Sequence, residues 1–387
     1  VRKEREMSRN IFTEEHEIFR TAFRKYLEKE VVPYLDEWEE KREVPRSAWK
    51  DLGKHGYLCP WLDEKYGGSN AGFQYSVIIN EEIARIGANG FAVGLHSDII
   101  APYIDSYGTH EQKERWLPKC ATGDIVLAIA MTEPGTGSDL QAVRTKAIKD
   151  GDFYIINGQK TFISNGMCCD LVIVVCKTDP EARPAHKGIS LLAVEAGTPG
   201  FTKSRKLNKM GMHSQDTAEL VFEDCRVSRG NLIGEEGKGF KYLMEKLQQE
   251  RLISTIGAQV GAEVMLEKTI EYCKQREAFG RPIGQFQHNT FKLVEMATEV
   301  ELGRTFLNDL IADHIEGKEI VKKVSMAKWW IAEMANRVAY HCVQLHGGYG
   351  YMEEYPICRW YRDIRASSIY AGTTEIMKVI IGRMMGF

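Results

Sequence analysis

A mainly helical protein with a β-rich centre is the fold class this sequence predicts. A helical domain spans residues 1–123, a β domain 124–234 and a helical bundle 235–387. Three observations lead there. The chain has 387 residues, more than one hydrophobic core usually serves. Apolar residues recur at helical spacing in both end regions. Between them the texture shifts to short β-branched runs punctuated by Gly, Asn and Asp.

In the first region Ile18, Phe19, Ala22, Phe23, Tyr26 and Leu27 share a helical spacing, with charges between them. Thr13, followed three residues later by His16, is a weak cap, and Glu14-Glu15 places acid in a first turn. Val31-Val32-Pro33 and Lys65-Tyr66-Gly67-Gly68-Ser69-Asn70 break the pattern. In the centre, Phe153-Tyr154-Ile155-Ile156-Asn157-Gly158 predicts a strand running into a tight turn. Leu171-Val172-Ile173-Val174-Val175-Cys176, Ile189-Ser190-Leu191-Leu192-Ala193-Val194 and Ala218-Glu219-Leu220-Val221-Phe222 add strands of a barrel or sandwich. Helices over 238–274, 289–316 and 318–345 then build the bundle.

Composition narrows the function. A net charge of −3, from 51 basic against 54 acidic residues, lacks the bias of a nucleic-acid binder. No apolar run is long enough to span a bilayer. Residues 1–15 are charged, unlike a secretory signal. Nine scattered cysteines without a CxxC spacing point to free thiols in a reducing compartment, and no metal site is expected.

Five segments have the composition of a ligand site, each with a plainer alternative. Met131-Thr132-Glu133-Pro134-Gly135-Thr136-Gly137-Ser138-Asp139 offers glycines for close approach and hydroxyls for a phosphate or a polar ring edge, or is a capped turn. It matches neither a P-loop nor a Rossmann fingerprint. Phe162-Ile163-Ser164-Asn165-Gly166 sets an aromatic and a hydroxyl beside a turn, or is a hairpin end. Gln275-Arg276-Glu277-Ala278-Phe279-Gly280-Arg281-Pro282, followed by Phe286-Gln287, pairs a phosphate-binding fork with a ring, or is a cationic helix end with a Gly stop. Gln344-Leu345-His346-Gly347-Gly348-Tyr349-Gly350 ends a helix with open backbone. Tyr370-Ala371-Gly372-Thr373-Thr374-Glu375 opens the last helix, as an anion site or through a simple threonine N-cap.

In this order, these segments resemble the acyl-CoA dehydrogenase family over nearly the whole chain. The resemblance is strongest to its long-chain branch, with isovaleryl-CoA dehydrogenases next. It implies a helical domain, a β-barrel domain and a C-terminal four-helix bundle. It implies bound FAD, an acyl-CoA substrate, electron-transfer flavoprotein as electron acceptor and a homotetramer built as a dimer of dimers. Ala130, Met131, Thr132, Gly137 and Ser138 would line the flavin, with Ser138 also touching acyl-CoA. Phe162 takes a place where many relatives carry tryptophan, and Ser164 would bond the ring. Arg276, Phe279 and Gln287 would hold the pyrophosphate and adenine end, partly of a neighbouring subunit's FAD. Gln344, Leu345, Gly347, Gly348, Thr373 and Glu375 would complete that end, although Glu375 departs from the glutamine of medium-chain relatives. Arg251, Ala371 and Gly372 would face the substrate.

One departure concerns the base. Many relatives carry the catalytic glutamate where this chain has Ala371, which takes no proton. Long-chain and isovaleryl-CoA dehydrogenases place it on the first long C-terminal helix, where this chain reads Gln248-Gln249-Glu250-Arg251-Leu252. Glu250 is therefore the expected base. Glu250, Ile253, Ser254, Gly257 and Gly261 share a helical face, and two glycines there would leave space for a ligand. A solvent-facing glutamate, or one paired with Arg251, is the plain alternative. Asp98 is an odd carboxylate in an apolar stretch, read as helix surface, or as a second acid–base group for a cyclic substrate. An acyl-CoA oxidase and a non-catalytic, nucleic-acid-binding flavoprotein are the rival functions. Bacterial cytoplasm is the expected location, with the mitochondrial matrix as alternative.

Overall fold

The computed structural model describes residues 11–387; residues 1–10, part of the charged N-terminal stretch, lie outside them. Helix α1 (Glu14–Glu30) starts with a true capping box, because the His16 ring accepts the Thr13 N–H at 3.0 Å. It buries Phe23 and Leu27. Helices α2 (Leu35–Lys41), α3 (Arg46–Lys54) and α4 (Phe73–Arg85) follow. A π-helical segment, Leu95–Ile100, runs directly into α5 (Ala101–Tyr107), and α6 (His110–Ala121) closes the region.

The predicted β-barrel domain is one curled seven-stranded sheet. Its strands are β1 (Leu127–Ala130), β2 (Lys146–Asp150), β3 (Phe153–Ser164), β4 (Leu171–Lys177), β5 (Ile189–Glu195), β6 (Phe201–Lys206) and β7 (Thr217–Ser228). They pair in the order β1-β4-β2-β3-β7-β6, with β5 on β4. Strand β4 reads as an unbroken apolar run because both its faces are covered. Leu171, Ile173 and Val175 pack against Tyr103, Trp116 and Leu243 of the helices. Val172, Val174 and Cys176 point into the sheet's own core with Ile156, Leu220 and Phe222. The turn expected at Asn157-Gly158 is absent: β3 runs on to Ser164 through a register shift between Ile156 and Gly158. Gly158 is required at that bulge, since a Cβ would lie 2.4 Å from Thr145 Oγ1.

The last region holds α7 (Gly239–Gln275), α8 (Gln287–Ile315), α9 (Val321–His346), α10 (Pro356–Ile364) and α11 (Thr374–Met384). Leu252, Ile256 and Val260 of α7 meet Leu307 of α8, Ile331 and Val338 of α9 and Val77 of α4 in one core. No helix among the described residues is long and apolar enough to cross a membrane. All nine cysteines are free.

Candidate active site

Glu250 lies in the first third of α7, beside the stretch that packs against α4 and α9. The residue is half-buried, and its Oε2 is closed to solvent without a hydrogen-bond partner. This overturns the solvent-facing alternative. Burial pushes its carboxyl up to about 7, against the opposing pull of the Arg251 and Lys328 cations. Arg251 is itself buried, with Nε unpartnered. The Tyr103 hydroxyl, also buried and unpartnered, is pushed up by burial and by the Glu250 charge. The open space predicted beside Glu250 is half right. A Cβ at Gly257 would meet nothing within 4 Å, but at Gly261 it would press on Ile364 and Trp360 at 3.2 Å.

The turn before α11 faces this cluster. Ala371 has φ 53° and Gly372 φ 93°, both left-handed. Such a backbone costs alanine of order 1 kcal/mol and persists only where its surroundings hold it. Lys328 of α9, 2% exposed, donates from Nζ to the Gly372 carbonyl at 2.5 Å. Thr373 is the N-cap of α11, accepting the Ile376 N–H at 3.3 Å, so the plain threonine-cap reading holds there.

A second group sits where β1 meets β3. The Thr161 N–H donates to the Thr132 carbonyl at 3.0 Å, and buried Lys160 bonds both the Met131 carbonyl (3.1 Å) and Glu133 (2.8 Å). Glu133 also accepts the Arg144 and Thr145 N–H groups. Ala130 is buried, Met131 and Thr132 are half-buried, and Gly137 and Ser138 are exposed. Phe162 stands 67% exposed at φ 59°, a left-handed residue at a second irregularity of β3, with Ser164 half-buried two residues on. Such a backbone persists only where its surroundings hold it.

The third group is at the far end of α7. Arg276 is its C-cap, but the Gly stop proves to be a hairpin: Phe279 (φ 53°) and Gly280 (φ 78°) join the short strands Glu277–Ala278 and Arg281–Pro282. Phe279 is 96% exposed, and Gln287 is exposed nearby at the start of α8. The Arg276 guanidinium lies 5.5 Å from the Tyr349 ring centre, which joins this hairpin to the end of α9. There Gln344, Gly347 and Gly348 are exposed and Leu345 half-buried, with nothing within 4 Å of a Cβ at either glycine. Thr373 and Glu375 are not with them. Glu375 acts on Lys328, about 24 Å back along α9 at 1.5 Å per residue.

Domain models of the acyl-CoA dehydrogenase N-terminal, middle and C-terminal domains match residues 13–124, 128–225 and 237–386. The chain belongs to the acyl-CoA dehydrogenase family. The mitochondrial long-chain specific acyl-CoA dehydrogenase of Rattus norvegicus is 49% identical over 97% of this chain and 88% of its own length. The isovaleryl-CoA dehydrogenase of Pongo abelii is 38% identical over 97% and 89%. An acyl-CoA dehydrogenase crystal structure from Geobacillus kaustophilus superposes with a TM-score of 0.97 at 61% identity, covering 98% of this chain and all of that one.

Within this acyl-CoA dehydrogenase fold, Asp98 is not the helix-surface residue that was expected. It is 2% exposed in the π-helical segment; Oδ2 accepts from Asn80 at 2.8 Å, while Oδ1 has no partner. Burial pushes its carboxyl up to about 6, partly offset by Ser76, Asn80 and Trp61. Its backbone carbonyl accepts from Gln249, the residue before Glu250. Sequence reasoning missed Lys328, Tyr103 and the Lys160–Glu133 pair. Lys328 left a signal: it falls on the buried stripe Val324, Ala327, Ile331 and Ala335 of α9, where a cation has to be explained.

Proposed function

We propose that this chain performs FAD-dependent α,β-dehydrogenation of a saturated acyl-CoA thioester to the trans-2-enoyl-CoA, with Glu250 as the base. The observation that carries this reading is a half-buried glutamate whose Oε2 is closed to solvent and unpartnered, beside open space at Gly257 and with alanine at position 371. The residues present fit FAD. Two aromatics, Phe162 and Phe279, are presented at left-handed positions, and Gly347 and Gly348 leave backbone open to a phosphate. Thr132, Ser138, Phe162 and Ser164 would hold the flavin ring, and Arg276, Phe279, Gln287 and the 344–348 backbone the adenine and pyrophosphate end. Bound FAD supplies the acceptor for the β-hydride.

The rest is the chain's own work. The Ala371 N–H donates to the thioester carbonyl and so stabilises charge developing on that oxygen. Glu250 Oε2 takes the α-proton. The acyl chain excludes water around Glu250, and Arg251 and Lys328 offset the resulting rise in its pKa. Electron-transfer flavoprotein is the proposed acceptor of the two electrons. The far-end group lies about 39 Å from Glu250 along α7, at 1.5 Å per residue. On this reading the two groups come from different copies, and a homotetramer with shared FAD sites is proposed. Bacterial cytoplasm is the proposed location, with the mitochondrial matrix as alternative.

Long-chain fatty acyl-CoA is the proposed substrate class, after the relatives' names. The burial of Asp98 favours a second reading, a branched or cyclic acyl group that brings a reacting or polar position near Oδ1. Asp98→Ala would then alter kinetics on that substrate, and unchanged kinetics on every active substrate would remove the reading. The deciding test is an anaerobic titration of the yellow protein with short, branched, medium, long and cyclic saturated acyl-CoAs. Bleaching of the visible flavin band by one class is the expected result. No bleaching by any, with FAD fully bound, would overturn the proposal.

A further inference from the structure

A buried ammonium is costly unless something in the fold needs it. Lys328 is 2% exposed on the core stripe of α9, yet among the described residues no carboxylate comes within ion-pair distance of it. Its direct bond is to an uncharged acceptor, the Gly372 carbonyl at 2.5 Å, and the Tyr370 ring centre lies 5.9 Å away. That carbonyl belongs to the left-handed pair Ala371–Gly372. Gly372 suits its φ of 93°, a backbone conformation that L side chains rarely adopt. The Lys328 bond ties this turn to α9.

The charges around Lys328 come from three helices. Glu250 and Arg251 face it from α7, Glu333 from α9 and Glu375 from α11; Glu333 is also bonded by the Thr374 hydroxyl at 2.7 Å. Tyr103 of α5 faces Glu250 from the other side. Lys328 and Glu250 therefore act on each other through space rather than as a closed salt bridge.

We infer that Lys328 is a positioning residue that couples the two halves of the reaction centre: its hydrogen bond holds the Ala371–Gly372 turn in the shape that aims the Ala371 N–H, and its charge favours the ionised form of Glu250. The inference rests on the assignment of Glu250 as base. Burial, then Arg251, pulls Lys328 down to about 8, while Glu250, Glu333 and Glu375 hold it up. At neutral pH it is mostly charged, in the range where Glu250 titrates.

Three variants separate the two roles. Lys328→Gln keeps a donor and loses the charge. Lys328→Arg keeps the charge and changes the bond. Lys328→Met loses both. Each is purified with FAD and its melting temperature recorded. The Glu250 carboxyl is titrated by infrared difference spectroscopy against Glu250→Gln, a readout independent of turnover, and kcat and KM are measured across pH. In Gln and Met the Glu250 titration and the acid limb of kcat/KM should move up by about one pH unit, the low end for loss of a nearby opposite charge. In Arg and Met, kcat should fall about tenfold or more with KM little changed, a misaimed turn being felt in the transition state. Arg should leave the carboxyl titration in place. A titration that is unmoved in Gln and Met, or an Arg variant indistinguishable from Met, would overturn the inference. So would failure of all three to fold, which would assign Lys328 to core stability alone. If the wild-type flavin is not bleached by any acyl-CoA, the proposed function fails, while the infrared result still reports on the coupling of Lys328 to Glu250.

Discussion

Glu250 works where a charge is hard to keep. Its carboxyl is raised by burial to about 7, so the ionised form that accepts a proton prevails above that pH and is lost as pH falls through it. Free-enzyme kcat/KM should therefore decline on the acid side with an apparent pKa near 7. Glu250→Gln should keep FAD and lose turnover by about 10²–10⁴-fold, the usual worth of a positioned base. The same raised pKa has a stability cost. The unfolded chain gives up this proton at an ordinary carboxylate pKa and the folded chain only near 7, so the penalty grows between those values and is complete above them. Glu250→Gln should raise the melting temperature at pH 8 and leave it unchanged near pH 4. Glu250 could be put forward from the sequence because position 371 is alanine. Lys328 was passed over, because one lysine on a helix is ordinarily solvent-facing and its place on the buried stripe of α9 was not weighed; the turn it bonds lies 44 residues further on.

At the scale of elements, the seams between helices are held by charge as well as by apolar contact. Arg304 of α8 bonds Glu81 of α4 at 2.6 Å and Glu263 of α7 at 2.7 Å, and Arg20 of α1 bonds Glu81 at 2.7 Å. Burial alone would raise the Glu81 carboxyl, but the Arg304 and Arg20 cations outweigh it and hold it below the ordinary range. Its contribution to stability is thus present above the unfolded carboxylate pKa and is lost as pH falls through the folded one. Arg304→Met should cost about 3–5 kcal/mol at pH 7 in a denaturant melt, because two buried carboxylates lose a partner, and markedly less at acid pH. An unchanged melt would mean that Arg20 on Glu81 and Arg85, 3.6 Å from Glu263, suffice. The three long C-terminal helices were readable from apolar spacing to within a few residues. The bulges at Gly158 and Phe162 were not, since strand period carries no trace of an extra residue until the partner strand is known.

For the whole molecule, the question is how groups so far apart serve one ligand. If the base comes from one copy and Arg276 and Phe279 from another, two dead chains should complement. Co-expressed Glu250→Gln and Arg276→Glu chains would form mixed assemblies in which one site has both its glutamate and its arginine, and activity should return. If each chain held a complete site, mixing would restore nothing, and the split-site reading would fall. The family resemblance implies such a distribution, and the separation of Glu250 and Arg276 along α7 is the observation that motivates the test.

Helix α7 carries the consequence furthest. It runs unbroken for 37 residues, Gly239–Gln275, with Glu250 in its first third and the Arg276 cap at its end. A single inserted residue between those points would swing the far end by about 100° and advance it by about 1.5 Å. Seven inserted residues would restore the angular phase to within about 20° while lengthening the helix by about 10 Å. If the split-site reading holds, the helix is a measuring rod whose length and phase both matter, and its exposed positions should tolerate substitution far better than any change in residue number.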